Sequence, residues 1–282
     1  MGEDLNRLTV SGGADGMSLL EFLAESFECS KRKAKNMLDA RRVYVNRQRV
    51  WMAKHRLSAG DVIETAARSA GERRNPNDGL KVLARRKGLC IVDKPAGLLT
   101  QGARSVESLA RESFGENALE AVHRLDRDTS GALILALCPK TRELLVELFR
   151  RHEVHKEYLA IVTGSFSRNR STISKRIDGK SAATEVEVLQ SGRDASLVRC
   201  VIHTGRTHQI RRHLESLGHP LAGDKQYGRG KVPNPILRSL PRQMLHASAI
   251  EFPDPSGAGV VAAKSPLPAD FRNALKRLRL KN

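Results

Sequence analysis

One short stretch, in which closely spaced charges run directly into an apolar segment, constrains the fold of this chain most. Residues 124–128 contain two guanidinium groups and two carboxylates. The apolar residues 131–137 follow, and a bounded run of this length predicts a buried strand. We therefore expect the charges to occupy a loop that feeds a rigid core element, where a catalytic group can be held still.

Asp126 lies at the centre of this stretch, between Arg124 and Arg127. Neighbouring cations favour the ionised form of a carboxylate, and an ionised, immobilised carboxylate can act as a nucleophile or as a base. A salt-bridged turn before a strand would have the same charge pattern. The charges alone therefore leave a structural and a catalytic interpretation open, and we assign Asp128 to local capping.

The composition favours a globular protein with a polyanionic partner. The 282 residues include 49 Lys and Arg against 31 Asp and Glu, a net charge of +18, which points to nucleic acid. An anionic membrane surface is the alternative, but no run has the apolar length of a membrane span. The N-terminus lacks a signal-peptide core and the four cysteines are scattered, so we expect a cytoplasmic protein with reduced thiols.

The N-terminal segment, residues 17–65, is predicted to fold as a small α/β domain. Ser18 and Glu21 have the spacing of a helix capping box, and Ser30 is placed to begin a second helix. Short strands are predicted at residues 43–45, 50–51 and 61–64. The polar residues 1–16 are interpreted as a mobile leader.

A cluster of basic residues with almost no acidic counterparts runs through this domain. It includes Lys31, Arg32, Lys35, Arg41 and Arg42. A solvated charged surface is the ordinary interpretation of such a cluster, but the scarcity of acidic residues favours contact with phosphates. The order of helix, basic helix, strand, turn and strand resembles the small RNA-binding module first known in a small-subunit ribosomal protein, the alpha-L fold.

The second predicted domain, residues 80–282, follows a polar stretch at 66–79 that Gly and Pro interrupt and that we interpret as a linker. Tyr158 lies with Ala160 and Val162 on one face of a predicted strand at 155–162, where a tyrosine is ordinarily part of the core. Further strands are predicted at 184–189 and 196–203, and helices at 105–114, 140–152, after Gly205, and at 271–280.

Several strings in this domain resemble the motifs of one enzyme family, in order. Residues 123–131, His-Arg-Leu-Asp-Arg-Asp-Thr-Ser-Gly, resemble the catalytic motif of the RluA-type pseudouridine synthases. Residues 93–97 (Asp-Lys-Pro-Ala-Gly), 156–160 (Lys-Glu-Tyr-Leu-Ala), 204–211 (Thr-Gly-Arg-Thr-His-Gln-Ile-Arg) and 223–228 (Gly-Asp-Lys-Gln-Tyr-Gly) resemble other segments of that family.

This resemblance implies an α+β catalytic domain with a mixed, mainly antiparallel sheet, and an enzyme that isomerises uridine in RNA to pseudouridine. It implies that Asp126 is the catalytic carboxylate, that Tyr158 lies against the target base and that Arg206 pairs with Asp126. Arg124 would fill the space left by an everted base, and Arg211 would contact RNA.

The implied reaction is an isomerisation, so we expect no cofactor. The histidines His203, His208, His213 and His219 lie five or six residues apart, which does not fit a helical metal pair, and we expect no metal site. Ribosomal RNA is the expected partner of a monomeric enzyme. The alternatives are a transfer-RNA pseudouridine synthase, or an inactive RNA-binding or ribosome-assembly protein.

Overall fold

Contacts within the chain fall into two units, Met1–Asp78 and Gly79–Asn282. The computed structural model describes residues 5–27, 29–39, 43–66, 80–167, 169–228 and 234–280. No helix within these ranges is both long enough and apolar enough to cross a lipid bilayer. The predicted linker lies outside the described residues except for Ala66, which ends a strand.

The N-terminal unit has two helices packed on a four-stranded sheet of order β1-β4-β2-β3. Its elements are β1 Leu5–Thr9, α1 Leu19–Ser26, α2 Lys31–Asp39, β2 Val43–Val45, β3 Gln48–Arg49 and β4 Val62–Ala66. The predicted N-cap at the start of α1 is confirmed, since the Ser18 side chain accepts a hydrogen bond from the Glu21 N–H at 3.3 Å. Leu19, Leu23 and Ile63 are buried between the helices and the sheet.

Two local predictions for this unit were wrong. Residues 5–9, which were predicted to be part of a mobile leader, form strand β1. This strand pairs antiparallel with β4, so that Leu8 lies opposite Ile63. The strand predicted at 50–51 lies instead at Gln48–Arg49. Asn46 and Arg47 both have positive φ angles, 50° and 65°, and a two-residue turn of that kind brings the second strand in immediately.

The C-terminal unit is built on a ten-stranded sheet. Its strands are β5 Lys81–Arg86, β6 Leu89–Lys94, β7 Glu120–Ala121, β8 Ser130–Ala136, β9 His155–Thr163, β10 Arg170–Ser174, β11 Ala183–Ser191, β12 Ala195–Ile202, β13 Leu245–Pro253 and β14 Val260–Lys264. The main path runs β10-β11-β12-β9-β13-β8-β6-β5, with β14 paired to β13 and β7 to β8. Among the described strands only β8 and β13 pair in parallel, which confirms the mixed, mainly antiparallel α+β fold.

The helices of this unit cover both faces of the sheet. They are α3 Val106–Phe114, α4 Pro139–Arg150, α5 Gln209–Ser216, α6 Pro235–Arg238 and α7 Ala269–Arg277. Helices α3 and α5 bury Val106 and Leu214 in a cluster that includes Tyr158 and Leu125. Helices α4 and α7 cover the opposite face, because alternate residues of each strand point to opposite sides. Leu125, in the loop between β7 and β8, belongs to the cluster under α3 and α5, so the centre of that loop lies on their face of the sheet.

Gly131 lies in the short parallel pairing of β8 with β13, where it is opposite Ala247. Its φ angle is 118°, a conformation that side chains rarely adopt. A Cβ atom at this position would lie 2.2 Å from the carbonyl oxygen of Ala247, which is backbone and cannot rotate away. Glycine is therefore required where the charged loop enters the sheet.

We expect Gly131→Ala to lower the free energy of unfolding by roughly 3 kcal/mol or more, because it combines backbone strain with a clash against a strand. Gly257→Ala is the matched control: its φ angle is 81°, but a Cβ there would meet no atom within 4 Å. That control should lose only roughly 1–2 kcal/mol. Chemical denaturation of both variants makes the comparison, and equal losses would show that close packing at Gly131 is unimportant.

Candidate active site

The backbone around Asp126 is fixed by its neighbours on both sides. Leu125 is buried in the core cluster under α3 and α5. The Thr100 hydroxyl donates to the Leu125 carbonyl at 2.9 Å and accepts from the Leu125 N–H at 3.0 Å. The Thr129 N–H donates to the Asp126 carbonyl at 3.0 Å and closes a turn. Asp126 therefore projects from a backbone that has little freedom to move.

A buried lysine at the end of β6 binds the loop from beneath. The Lys94 ammonium donates to the carbonyls of Pro95, Arg127 and Thr129 at 3.0, 2.9 and 2.8 Å. Burial, followed by the nearby Arg242 guanidinium, lowers the pKa of Lys94 to about 7. The sequence marked Lys94 as part of a family motif but gave no indication of the contacts it makes.

A buried arginine binds the same loop from the side of β13. The Arg242 guanidinium donates to the Asp128 carbonyl at 2.9 Å and forms a two-point ion pair with Asp270 at 2.7 and 3.0 Å. Asp270 belongs to α7, so Arg242 connects the loop to a helix on the other face of the sheet. Lys94 and Arg242 together bind the carbonyls of residues 127–129. Nothing in the sequence around Arg242 predicted this contact.

The carboxylate of Asp126 is held by one of its two oxygens. Its Oδ2 accepts hydrogen bonds from Arg211 Nη1 at 3.1 Å and from Gln243 Nε2 at 3.5 Å. Its Oδ1 lies 3.8 Å from His208 Nε2. The Asp126 side chain is 21% exposed, so the carboxylate is reachable from solvent although its partner Arg211 is buried. The geometry leaves Oδ1 as the oxygen available to a substrate.

The flanking arginines do not provide the cation that the sequence suggested. Arg124 is exposed, and Arg127 pairs with the Asp128 carboxylate at 3.3 Å. The guanidinium bound to Asp126 comes instead from Arg211 on α5, 85 residues further along the chain. Proximity in sequence failed here because successive side chains on a turn project in different directions.

The predicted pairing of Arg206 with Asp126 was also wrong. Arg206 is exposed and its Nε donates to the Ser181 carbonyl at 3.2 Å. Helix α5 begins only at Gln209, so Arg206 lies in the turn before the helix. Arg211 lies inside the helix, three residues before the buried Leu214, and therefore on the same helical face as Leu214. Arg211, predicted as an RNA contact, is 8% exposed and faces Asp126.

Arg211 is held from its other side by the loop after α5. Its Nε and Nη2 donate to the two oxygens of Asp224 at 2.7 and 3.0 Å, and Nη2 also lies 3.3 Å from the Gln226 amide oxygen. The guanidinium carbon lies 4.9 Å from the centre of the Tyr227 ring. Burial tends to raise the pKa of Asp224, but hydrogen bonds from Arg211 and from the loop N–H groups lower it overall.

Tyr158 belongs to β9 and faces the same side of the sheet as the loop. Its side chain is buried in the core cluster, as a strand tyrosine ordinarily is. Burial and then the charge of Asp126 raise the pKa of the phenol, so the hydroxyl is neutral at physiological pH. Tyr158 and Leu125, the residue before Asp126, belong to the same buried cluster.

The four histidines considered for zinc lie in separate positions. His203 is near Glu185, His208 bonds the Tyr227 hydroxyl, His213 bonds Thr184, and His219 stacks on Phe166. His208 is the one that reaches Asp126. It has a φ angle of 54°, so the turn before α5 directs its ring toward the carboxylate.

The predicted phosphate contacts of the N-terminal unit are only partly described. Lys31 and Lys35 are exposed on α2, and Lys31 lies 3.3 Å from Glu21. The side chain of Arg32 and the whole of Arg41 and Arg42 lie outside the described residues. Their contact with RNA stays a prediction.

Comparison with known proteins identifies both units. Residues 88–216 match the RNA pseudouridylate synthase family and residues 17–63 match the S4 domain. The chain is 31% identical to ribosomal large subunit pseudouridine synthase D of Nitrosomonas europaea, covering 98% of this chain and 89% of that protein. It is 33% identical to synthase C of Salmonella typhi, covering 68% of each chain.

A solved structure agrees with the sequence matches. Human RNA pseudouridylate synthase domain containing 4 superposes with a TM-score of 0.60 at 27% identity, covering 72% of this chain and 94% of the human one. Fold and site thus define an RNA-modifying isomerase that carries an RNA-binding domain at its N-terminus. The chain belongs to the RluA-type RNA pseudouridine synthases, which convert uridine to pseudouridine.

His123, the first residue of the 123–131 motif, is held in its neutral form by the fold. Its Nε2 accepts the Ile134 N–H at 3.1 Å, so the ring is neutral. Burial, and then the charge of Lys156, lower the pKa of His123 to about 3. Between that value and the usual 6.5, the unfolded chain binds a proton that the folded chain does not.

We therefore expect His123 to cost stability as the pH falls from 6.5 toward 3, by up to about 1.4 kcal/mol for each pH unit. His123→Gln keeps an acceptor for the Ile134 N–H and cannot titrate, so its unfolding free energy should depend less on pH in this window. Urea denaturation at several pH values measures both slopes. Identical slopes would mean that His123 is protonated equally in the folded and unfolded states.

Proposed function

We propose that this enzyme isomerises uridines of large-subunit ribosomal RNA, with Asp126 as the reacting carboxylate. The observation that carries the proposal is the geometry of Asp126, whose Oδ2 is tied to Arg211 while Oδ1 stays available on a fixed loop. The names of the relatives in Nitrosomonas europaea and Salmonella typhi support ribosomal RNA as the substrate. The S4 domain supports binding to structured RNA.

The reaction breaks the bond between N1 of uracil and C1′ of ribose and forms a bond between C5 and C1′. The C5 proton is lost and N1 gains one, so atoms balance without a cofactor. In our proposal Oδ1 of Asp126 acts at the ribose, and Tyr158 supports the uracil ring as it turns. Because the phenol is neutral, Tyr158 adds no second negative charge beside Asp126.

The target base must leave its stack, which costs a few kcal/mol. Arg124 is exposed two positions before Asp126. We propose that its side chain fills the space in the RNA that the everted base leaves. The N-terminal basic residues Lys31, Arg32, Lys35, Arg41 and Arg42 would contact phosphates, which predicts binding that weakens as salt rises. These contacts position the RNA, whereas the loop around Asp126 carries the chemistry.

Every group assigned to the reaction belongs to one chain, so we propose that a monomer suffices. The free thiols of Cys29, Cys90, Cys138 and Cys200 favour a reducing compartment, the cytoplasm. Burial raises the pKa of Cys90 to about 11 and that of Cys200 to about 12, so both remain unreactive core thiols.

Asp126→Asn should abolish the reaction, because the amide cannot act as nucleophile or base. We expect the release of tritium from RNA labelled at uracil C5 to fall at least about 10³-fold. Asp128→Asn is the matched control on the same loop: that carboxylate pairs with Arg127 at the surface, and its loss should leave turnover nearly unchanged. Ribosomal and transfer RNA tested side by side identify the substrate, and robust turnover by Asp126→Asn would refute the proposal.

The two arginines of the 204–211 motif should differ in effect. Arg211→Lys keeps a positive charge but cannot give Asp224 two parallel hydrogen bonds from a rigid plane while bonding Asp126, so we expect the single-turnover rate to fall about 10²-fold. Arg206→Lys changes an exposed group and should have a much smaller effect. A larger loss in Arg206→Lys would mean that Arg206 approaches the carboxylate when RNA is bound.

A further inference from the structure

The guanidinium of Arg211 lies between two carboxylates, which it binds in different ways. Asp224 receives two parallel hydrogen bonds, from Nε at 2.7 Å and from Nη2 at 3.0 Å. Asp126 receives a single hydrogen bond, from Nη1 at 3.1 Å. Two parallel bonds are the stronger and more directional arrangement. Asp224 therefore determines where the guanidinium lies.

The Asp224 carboxylate is itself fixed. Its side chain is completely buried, and its Oδ1 accepts the N–H groups of Gln226 at 2.9 Å and Tyr227 at 3.1 Å. The loop is anchored at Gly223, whose φ angle is 77° and where a Cβ would lie 2.0 Å from the Arg242 carbonyl oxygen. Arg242 also donates to the Asp128 carbonyl in the loop that carries Asp126. The loops that carry the two carboxylates therefore both contact Arg242.

The same loop positions the second group that faces Asp126. The Tyr227 hydroxyl lies 3.0 Å from His208 Nδ1, and the opposite nitrogen, Nε2, is the one 3.8 Å from Oδ1 of Asp126. The Tyr227 ring also lies against the Arg211 guanidinium. Residues 224–227 therefore set the position of both Arg211 and His208.

Asp224 and Asp126 compete for one cation. If Asp224 did not occupy Nε and Nη2, the guanidinium would be free to turn and bond both oxygens of Asp126. Such a pair would occupy Oδ1, the oxygen that the proposed reaction needs. The single hydrogen bond from Arg211 Nη1 to Oδ2 of Asp126 therefore depends on the paired hydrogen bonds from Arg211 to Asp224.

We propose that Asp224 is a positioning residue for pseudouridine formation. It binds Nε and Nη2 of Arg211, so that only Nη1 faces Asp126. Asp126 is then paired with the guanidinium through Oδ2, and its Oδ1 remains free. The inference rests on the proposed role of Asp126. It assigns to Asp224 an effect on the rate of the chemical step and none on RNA binding, because the carboxylate is buried beneath the site.

Asp224→Asn tests this role with little change of shape. The Asn oxygen can still accept the N–H groups of Gln226 and Tyr227, which leaves the amide NH₂ facing Arg211 Nε. Two donors then oppose each other, and Arg211 should move toward Asp126. We expect the single-turnover rate to fall about 10²-fold, while the dissociation constant for RNA changes less than twofold.

Asp178→Asn is the matched control. Asp178 pairs with Arg212, the next residue of α5, at 2.9 Å, and its side chain is 68% exposed. Loss of that pair should change neither rate nor affinity. Asp224→Glu covers the case in which Asp224→Asn does not fold: it keeps the charge but displaces the carboxylate by one methylene, and its rate should also fall. A wild-type rate in either folded Asp224 variant overturns the inference.

A double-variant comparison separates positioning from a general structural effect. If Asp224 acts through Arg211, then Asp224→Asn combined with Arg211→Lys should be no slower than Arg211→Lys alone. If the two losses multiply, Asp224 acts by another route and the inference fails.

A crystal structure of Asp224→Asn gives a result that does not depend on turnover. We expect the guanidinium to bond both oxygens of Asp126 in that structure. An unmoved Arg211 overturns the inference even if the wild-type enzyme is active. Conversely, a moved Arg211 in the variant, together with a wild-type enzyme that releases no tritium from any RNA, would count against the proposed function and not against the placement of Arg211 by Asp224.

Discussion

The capping of backbone carbonyls by buried cations is the constraint on which the site depends. Burying an ammonium or a guanidinium costs several kcal/mol unless its donors are satisfied. Lys94 meets that condition with the carbonyls of Pro95, Arg127 and Thr129, and Arg242 meets it with Asp270 and the carbonyl of Asp128. The loop and the cations are therefore mutually dependent: neither can move without leaving a buried polar group unpaired. Such a loop keeps Asp126 in one place without any bulky packing around its carboxylate.

The sequence predicted much of this architecture because its signals are local. The apolar run after the charged stretch predicted β8, seen as Ser130–Ala136, and alternation predicted β9, seen as His155–Thr163. The N-cap of α1 at Ser18 was also predicted correctly. Strand β1 was missed because a short polar edge strand has no local signature: Leu8 is explained only by its partner Ile63, far along the chain. Motif resemblance, rather than charge or periodicity, singled out Asp126 and Tyr158.

The partner of Asp126 could not be predicted, for a geometric reason. Arg206 and Arg211 lie in one short motif, and the choice between them depends on the residue at which α5 begins. The sequence alone does not fix the residue at which a helix begins, and each residue turns a side chain by about 100° around the axis. Because α5 begins at Gln209, Arg211 faces inward with Leu214, and Arg206 remains in the turn. The contacts of Arg242 and Gln243 join segments more than a hundred residues apart, and no local pattern records them.

The protein holds its positive charge in two physically distinct settings. Exposed lysines such as Lys35 lie in solvent, where ions screen their interactions with other charges. Arg211 is withdrawn from water and held by Asp224, so its interaction with Asp126 is less screened and already oriented before any RNA arrives. Preorganised charge stabilises a developing charge without the cost of reorientation. Lysine suits the exposed setting, whereas the planar fork of arginine can give Asp224 two parallel hydrogen bonds and still donate to one oxygen of Asp126.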